Sequence, residues 1–233
     1  MSQRIEVREM NRPKVILNVF SSIDGKLSTA PNHNVSEWTK EGIDGDAHDI
    51  SHRLYDDLEC DALLSGSETL MVYGNHWIDL EKSVYQPKKS KAYIVFDGRG
   101  RINWYQTDGL IVITREDAPP AYFEQLEAKE IPYIIAGKGD HIDLTIALQK
   151  LYEKGFRTLG LSGGGAINGA FLRQGLIDEI SIVYPPLVVA GRRTPSLFDC
   201  DELQSVHEIT KLDLIQVKPV GAGSVSVHYK VKR

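Results

Sequence analysis

The sequence predicts an α/β fold, in which helices cover both faces of a central, mostly parallel sheet. Short apolar segments typical of buried strands alternate along the chain with segments of helical periodicity. The first strand is apolar on both faces, as expected of a parallel sheet that is buried on both sides. The last segment, residues 212–232, alternates in the manner of an antiparallel hairpin at a sheet edge.

The chain begins with a strand, a helix and a second strand. The segment "KVILNVF" predicts a buried central strand, followed by a turn at Asp24 and Gly25. Residues 44–60 carry apolar side chains at helical spacing and acidic residues near the start, which predicts a helix. The short apolar segment "CDALLSG" predicts the second strand, and "SETLMVYGN" begins a helix or a turn.

Strands and helices continue to alternate through the second half of the chain. The further strands are predicted within residues 92–102, 109–117, 131–139, 157–165 and 176–186. The helices between them are predicted within residues 119–130, 143–156 and 166–175. Because no Pro/Gly/Ser-rich linker and no internal repeat divides the chain, residues 1–233 are predicted to form a single domain, with a core from about residue 13.

The composition argues against a nucleic-acid-binding, a membrane or a secreted protein. A formal net charge of −5 and a pI near 5.8 provide no general basic field, so nucleic acid is not an expected partner. The apolar segments are far shorter than the roughly 20 residues that cross a bilayer, and the N-terminal segment lacks the apolar stretch of a secretory signal. Cys60 and Cys200 are isolated in the sequence. We therefore predict a cytoplasmic protein with two reduced thiols and no membrane association.

Three adjacent glycines, Gly163 to Gly165, follow one predicted strand and precede a predicted helix. Ligands of α/β proteins bind at such strand-to-helix turns, where helix N–H groups favour phosphate. The alternative is a tight turn that binds no ligand. The segment does not fit the GxGxxG motif, because Asn168 occupies the place of its last glycine, and no GK[ST] motif follows. The glycines therefore predict a nucleotide or phosphate ligand, bound by a turn of non-standard sequence.

Four segments resemble motifs of the riboflavin-pathway pyrimidine reductases. They are "VFSSIDGKLST", "LLSGSETL", "LSGGGAINGAFLRQGLIDEISIVYPPLVVAG" and "SLF", and the resemblance runs from about Pro13 to the C-terminus. That family includes the reductase half of the bacterial bifunctional deaminase-reductase and stand-alone archaeal and fungal enzymes. The resemblance implies a dihydrofolate-reductase-like, three-layer α/β/α fold. Since the deaminase zinc motif (HxE with PCxxC) is absent from the sequence, the chain is similar to a stand-alone reductase.

The same resemblance implies a cofactor, a reaction and an assembly. The implied reaction is the NADPH-dependent reduction of the ribosylamino group of a pyrimidine 5′-phosphate to ribitylamino, by a homodimer. The implied cofactor positions are Gly163, Gly164, Gly165, Ala166, Thr69, Gly98 and Trp38. The implied substrate positions are Asn18, Ser36 and Ser162.

The chain departs from the family pattern mainly in its substrate half. Ser162 stands where the family has glutamate, Asp57 stands where an arginine often binds substrate phosphate, and residues 73–75 replace a "DDP" motif. Two alternatives therefore remain open. One is a reductase of the same fold that acts on another substrate, such as a pterin; the other is a nucleotide-binding regulatory module without turnover.

Several single residues have both a functional and a structural interpretation. Asp24 is the candidate catalytic group, either holding a substrate amino group or positioning a proton donor, although an Asp-Gly pair is also a common turn. Arg192 and Arg193 are candidates for the substrate phosphate, because arginine matches phosphate geometry, or are simply solvated. Thr69 binds phosphate in one interpretation and caps a short helix in the other.

Two further features have a structural alternative. Trp38 either stacks against the cofactor or covers the core. His48 and His52 have a helical spacing that can hold zinc, but the glutamate of an HExxH motif is missing. We therefore predict no metal site and expect the two histidines to lie on a solvated face.

Overall fold

A nine-stranded sheet organises the computed structural model, which describes residues 11–33, 36–71, 76–80 and 92–233. The strands are β1 (Lys14–Phe20), β2 (Ala62–Gly66), β3 (Trp77–Asp79), β4 (Tyr93–Phe96), β5 (Asn103–Gln106), β6 (Leu110–Thr114), β7 (Tyr133–Ile135), β8 (Thr158–Leu161), β9 (Glu179–Tyr184), β10 (Leu212–Gly221) and β11 (Ser224–Val231). The helices are α1 (Ser36–Lys40), α2 (Ala47–Asp57), α3 (Ser67–Leu70), α4 (Pro120–Ala128), α5 (Leu144–Glu153) and α6 (Gly165–Arg173).

The strand order confirms the predicted fold class. The sheet runs β10-β11-β9-β1-β8-β2-β4-β6-β7, and all neighbours from β9 to β7 are parallel. Only the C-terminal hairpin is antiparallel, with β11 paired to both β9 and β10. The strand β8 returns late in the chain to a place between β1 and β2. The glycine turn that follows β8 therefore lies near the middle of the carboxyl edge of the sheet.

Helices cover both faces of the sheet. On one face, Leu148 of α5 and Phe171 of α6 pack with alternate residues of β1 and β2. The opposite face is covered over β2 and β4 by α4 and the small β3–β5 sheet, and over β1 and β9 by α1 and α2. The layers follow from the strand pattern, because a strand that is apolar on both faces has to be covered on both.

The structure contains short elements that the sequence pattern did not predict. These are α1, β3 and β5, none of which is longer than 5 residues. The predicted strand within residues 92–102 ends at Phe96, before the turn. Such elements are too short to show a helical or a strand period, and they are held by their neighbours in the fold rather than by their own pattern.

All helices in the described part of the chain are short. The longest of them, α2, has 11 residues, whereas a helix needs about 20 residues to cross a bilayer. None of the described helices combines the length and the apolar composition of a membrane span.

Helix α5 provides a matched test of the core. Leu148 is fully buried, whereas Ile146 on the same helix is 37% exposed. We expect Leu148→Ala to lower the free energy of unfolding by about 2–5 kcal/mol, through lost burial and a residual cavity. Ile146→Ala should change it by no more than about 0.5 kcal/mol. Urea unfolding of both variants measures the difference, and equal effects would contradict the packing described for α5.

Candidate active site

A cleft of about 1870 Å³ opens at the carboxyl edge of the sheet. It is lined by the last residues of three parallel strands, Phe20 of β1, Gly66 of β2 and Phe96 of β4, and by Ser162 directly after β8. This is the edge at which open α/β sheets bind ligands. Since a pocket for one small ligand measures about 300–1,000 Å³, the cleft has room for two ligands side by side.

The glycine turn opens onto this cleft at Gly164. The N–H of Gly164 donates to Oγ1 of Thr69 at 2.7 Å. Within the described part of the chain, a Cβ built on Gly164 would meet only that hydroxyl oxygen within 4 Å, at 3.0 Å. Gly163 has φ +97°, a left-handed conformation that glycine adopts without strain, and its peptide bond to Gly164 is cis. The backbone at Gly164 thus faces open space that a side chain would fill.

Gly165 has a different reason for being glycine. A Cβ at this position would overlap the carboxylate of Asp199 and the carbonyl oxygen of Ser196. The N–H of Asp199 donates to the carbonyl of Gly165 at 3.0 Å, which holds the two segments together. Packing against the protein itself therefore accounts for Gly165. Contact with a ligand stays a prediction that fits Gly164 better than Gly165.

The other predicted cofactor residues, except one, lie around the same cleft. Thr69, Gly98 and Ala166 all line it, and they follow the carboxyl ends of β2, β4 and β8 respectively. The hydroxyl of Thr69 accepts the Gly164 N–H, and α3 has no side-chain cap at its N-terminus, so Thr69 joins two strand ends rather than capping its own helix. The parallel sheet brings these residues together although they are far apart in the sequence.

Trp38 is the exception. Its side chain is 2% exposed and packs with Ala47, Ile50 and Phe20 in the layer under α2. The rings of Trp38 and Phe20 meet edge to face, with centroids 5.9 Å apart. The structure favours the interpretation in which Trp38 covers the core over the one in which it stacks on a ligand, and its cofactor role stays a prediction.

Two of the three predicted substrate residues line the cleft. The amide of Asn18 is fully buried, its Nδ2 donates to the carbonyl of Ser51 at 2.7 Å, and its Oδ1 has no hydrogen-bond partner among the residues that the structure describes. A buried acceptor without a donor is costly, so a ligand donor at this position would be stabilising. Ser162 also lines the cleft. Ser36 begins α1, and its side chain lies outside what the structure describes.

Asp24 holds a loop together instead of facing the cleft. Its carboxylate accepts hydrogen bonds from Ser22 Oγ at 2.7 Å, from the N–H of Val189 at 3.1 Å and from the N–H of Ala190 at 2.7 Å. These donors, led by Ser22, lower the pKa of Asp24 from 3.8 to about 2. The group is therefore ionised at neutral pH and holds no proton to donate. The geometry fits the turn interpretation, and a catalytic role for Asp24 stays a prediction.

Arg192 and Arg193 lie on the same loop, after β9. Both side chains are exposed, and neither is among the residues that line the cleft, although Pro195 of this loop is. A role in binding the substrate phosphate therefore stays a prediction for the two arginines, with no contact in the cleft to support it.

His48 and His52 are both half-buried and line the cleft, a position that the sequence pattern alone did not indicate. Helix α2 packs through Ala47 and Ile50, which turns the two histidines toward the carboxyl edge of β1. Their ring centroids are 3.9 Å apart. Burial, followed by the neighbouring His48, lowers the pKa of His52 to about 4. No group of three or more metal-binding side chains occurs among the residues that the structure describes.

The missed histidines carried a signal in the sequence. His48, Ser51, His52 and Tyr55 repeat at helical spacing on α2, and all four line the cleft. The sequence therefore showed a polar face on α2 next to its apolar face. Which of the two faces lies at the carboxyl edge of the sheet depends on how α2 packs against β1.

Comparison with known proteins gives one family. The model of the RibD C-terminal domain matches residues 13–226. A protein of Methanothermobacter thermautotrophicus, named 2,5-diamino-6-ribosylamino-4(3H)-pyrimidinone 5′-phosphate reductase, is 27% identical over 95% of this chain and 99% of its own. A protein of the same name from Archaeoglobus fulgidus is 26% identical over 88% of this chain and 94% of its own. The resemblance seen in the motifs is confirmed.

Solved structures confirm the fold. RibD of Acinetobacter baumannii superimposes with a TM-score of 0.65 at 19% identity over 95% of this chain, which spans 58% of that protein. A pyrimidine reductase-like protein of Corynebacterium diphtheriae has a TM-score of 0.66 at 17% identity, covering 95% of this chain and 92% of that one. Dihydrofolate reductase of Enterococcus faecalis has a TM-score of 0.50 at 9% identity, covering 96% of this chain and 98% of its own. The fold is dihydrofolate-reductase-like.

The loop clamp at Asp24 is testable by titration. The depressed pKa implies stability that is present above pH 3.8 and is lost as the pH falls toward 2. We expect the side-chain carboxyl signal of Asp24 to titrate in NMR with a midpoint near 2. Amide exchange at Val189 and Ala190 should accelerate in Asp24→Ala at neutral pH. A midpoint at the ordinary value of 3.8, with unchanged exchange in the variant, would contradict the clamp.

Proposed function

The chain belongs to the RibD C-terminal domain family, and from this premise we propose that it is an NADPH-dependent reductase of riboflavin biosynthesis. The proposed reaction reduces the ribosylamino group of a pyrimidine 5′-phosphate to ribitylamino. The names of the relatives favour 2,5-diamino-6-ribosylamino-4(3H)-pyrimidinone 5′-phosphate over 5-amino-6-ribosylamino-uracil 5′-phosphate as the substrate. The observation that carries the proposal is the half-buried backbone at Gly164, where no side chain occupies the space beside Thr69, in a cleft with room for two ligands.

The residues around Gly164 fit a dinucleotide cofactor. A Cβ at this position would occupy the cleft, so glycine leaves space for a ligand to approach the backbone. The turn leads directly into α6, whose first N–H groups and dipole favour phosphate. Thr69 adds a hydroxyl on the side of β2. When bound there, the nicotinamide would supply the hydride.

The chain's own part in the reaction is binding and positioning. The glycine turn and Thr69 would hold the cofactor phosphates, and the side of the cleft lined by β1 leaves room for a second ligand. On that side, the unpaired Oδ1 of Asn18 would accept a donor of the substrate, and Ser162 lies at the end of the neighbouring strand β8. Holding two reactants in contact away from water accounts for a large share of catalysis in such reactions and needs no protein nucleophile.

Tyr55 of α2 helps to hold the side of the cleft that is formed by β1 and α2. Its buried hydroxyl donates to the backbone carbonyl of Asn18. Burial raises the pKa of Tyr55 well above its ordinary value, so the phenol stays protonated. The phenol thereby anchors α2 to the end of β1 and helps to hold the Asn18 amide in place.

The assembly and the cellular location complete the proposal. We propose a homodimer, supported by β10, an edge strand whose Leu214, Ile215 and Val217 are each at least half exposed. An apolar edge strand is a common site of pairing with a second chain. A biosynthetic enzyme of small metabolites is expected in the cytoplasm, where Cys60 and Cys200 would remain reduced thiols.

The decisive assay is NADPH oxidation by the purified chain with the phosphorylated ribosylaminopyrimidine. We expect turnover that requires this substrate and yields the ribitylamino product by mass spectrometry. Oxidation only with pterins would favour a reductase for another substrate. Tight NADPH binding without oxidation of any substrate would favour a regulatory module.

The cofactor site is tested by a graded pair of substitutions, Gly164→Ala and Gly164→Val. Because added carbons crowd the space next to Thr69, we expect Gly164→Val to weaken NADPH binding by about tenfold or more, the equivalent of the roughly 1–3 kcal/mol that overpacking costs. Gly164→Ala should lose less. Calorimetric titration with NADPH gives the affinity, and thermal melting shows whether each variant is folded. A folded Gly164→Val variant with unchanged affinity would contradict the assignment.

A further inference from the structure

Two arginines converge on one glutamate at the edge of the sheet that carries the cleft. Arg99 and Arg101 follow β4, Glu68 lies in α3 directly after β2, and the Nη2 group of each arginine pairs with Oε1 of Glu68. Because β2 and β4 are neighbouring parallel strands, these side chains meet at the same edge as the glycine turn. Glu68 and Arg99 both line the cleft. The three residues are named here the arginine–glutamate cluster.

The turn after β4 holds the two arginines in place. Asp97 is fully buried, and its Oδ2 accepts the N–H of Arg101 at 2.9 Å and the N–H of Ile102 at 3.0 Å. These bonds fix the backbone of the turn from inside the protein. Arg99 and Arg101 therefore leave a fixed turn, and both reach Glu68 on the neighbouring strand end.

The cluster adjoins the residues that fit the cofactor. Glu68 directly precedes Thr69, whose hydroxyl accepts the N–H of Gly164 at 2.7 Å, and Arg99 directly follows Gly98. In NADPH, the 2′-phosphate is on the ribose that is attached to the pyrophosphate. A dinucleotide held at the glycine turn carries this additional phosphate only a few bonds away from the turn. NADH lacks this phosphate, so charged groups beside the turn distinguish the two coenzymes.

The cations that line the cleft are few. Among the described residues, Arg99 is the one arginine of the lining, and the one lysine, Lys40, belongs to α1 on the side of β1. Lys138, on the loop after β7, is outside the lining and pairs with Glu116 at 3.5 Å. On the side of β2 and β4, a 2′-phosphate therefore has Arg99, with Arg101 behind it, as its arginine partners.

Glu68 weakens what these arginines offer to a phosphate. The cluster sets two positive charges against one negative charge, and Glu68 occupies an Nη2 group of each guanidinium. A phosphate monoester carries nearly two negative charges at neutral pH, so the carboxylate beside it would repel it. Glu68 and Arg99 are each 60% exposed, and an ion pair so exposed contributes little stability that would keep the carboxylate in place.

We propose that Glu68 sets the coenzyme preference, because it competes with the 2′-phosphate of NADPH for Arg99 and Arg101. The affinity for NADPH then exceeds that for NADH by no more than about tenfold. The inference rests on the proposed function and names a specificity-determining residue within its cofactor site.

Calorimetric titration of Glu68→Gln with each coenzyme tests the proposal. We expect the affinity for NADPH to rise about threefold or more, since the phosphate gains both guanidiniums and loses a like charge beside it. The affinity for NADH should stay unchanged. Glu116→Gln is the matched control, because Glu116 is also 60% exposed and paired with a cation but is outside the cleft. It should bind both coenzymes as the wild type does.

A second variant tests whether Glu68 acts through the arginines. Arg99→Gln should lower the affinity for NADPH about threefold or more and leave that for NADH unchanged. In the double variant Glu68→Gln/Arg99→Gln, the gain from removing the carboxylate should be smaller than in the wild-type background, because one guanidinium is missing. Both side chains are exposed, so the variants are expected to fold, which thermal melting checks.

Three results for a folded Glu68→Gln variant would overturn the assignment. A lower affinity for NADPH would mean that Glu68 positions the arginines for the phosphate instead of competing with it. An unchanged affinity for NADPH would mean that the cluster does not meet the 2′-phosphate. An equal rise in affinity for NADH would assign the effect to the pyrophosphate, which both coenzymes share.

Coenzyme fragments separate this proposal from the proposed function. Adenosine 2′,5′-bisphosphate should bind Glu68→Gln more tightly than wild type, whereas AMP should bind both equally. This result is expected even if no pyrimidine supports NADPH oxidation, which would contradict the proposed reaction alone. Unchanged binding of adenosine 2′,5′-bisphosphate to the variant, with NADPH oxidation intact, would contradict the role of Glu68 alone.

Discussion

The hydrogen bond from the Gly164 N–H to the Thr69 hydroxyl is the contact on which the candidate site depends. It joins the carboxyl ends of β8 and β2, two neighbouring parallel strands that are almost a hundred residues apart in the chain. The contact brings the side-chain-free turn and a polar side chain to one point of the cleft. The contact requires parallel strands, because only then do both carboxyl ends reach the same edge of the sheet.

The cleft has two unlike sides around this point. Toward β2 and β4 it presents the glycine turn, Thr69 and the Glu68–Arg99 pair. Toward β1 it presents the buried Asn18 amide and the polar side chains of Ser51 and Tyr55 on α2. The two sides differ because different helices follow β1 and β2 at the same edge of the sheet.

The adjacent glycines show how one motif serves two purposes. Gly164 leaves open space in the cleft, whereas Gly165 lets Ser196 and Asp199 pack against the start of α6. Open space at one position and close packing at the other both require glycine. The sequence alone therefore suggested that a ligand accounts for both. Asp24 is similar: a carboxylate beside a turn was compatible with catalysis, but its three hydrogen-bond donors belong to neighbouring backbone and Ser22.

The sequence by itself determined the α/β class, the buried strand β1, the amphipathic α5 and the strand-to-helix turn at the glycines, because each of these is written in local periodicity and local turn chemistry. Only the tertiary structure decided that Trp38 is in the core, that Asp24 holds a loop, and that His48 and His52 face the cleft. These outcomes depend on contacts between distant segments, which no local pattern records. The helix period shows that α2 has a polar stripe, but only its packing against β1 sets what that stripe meets.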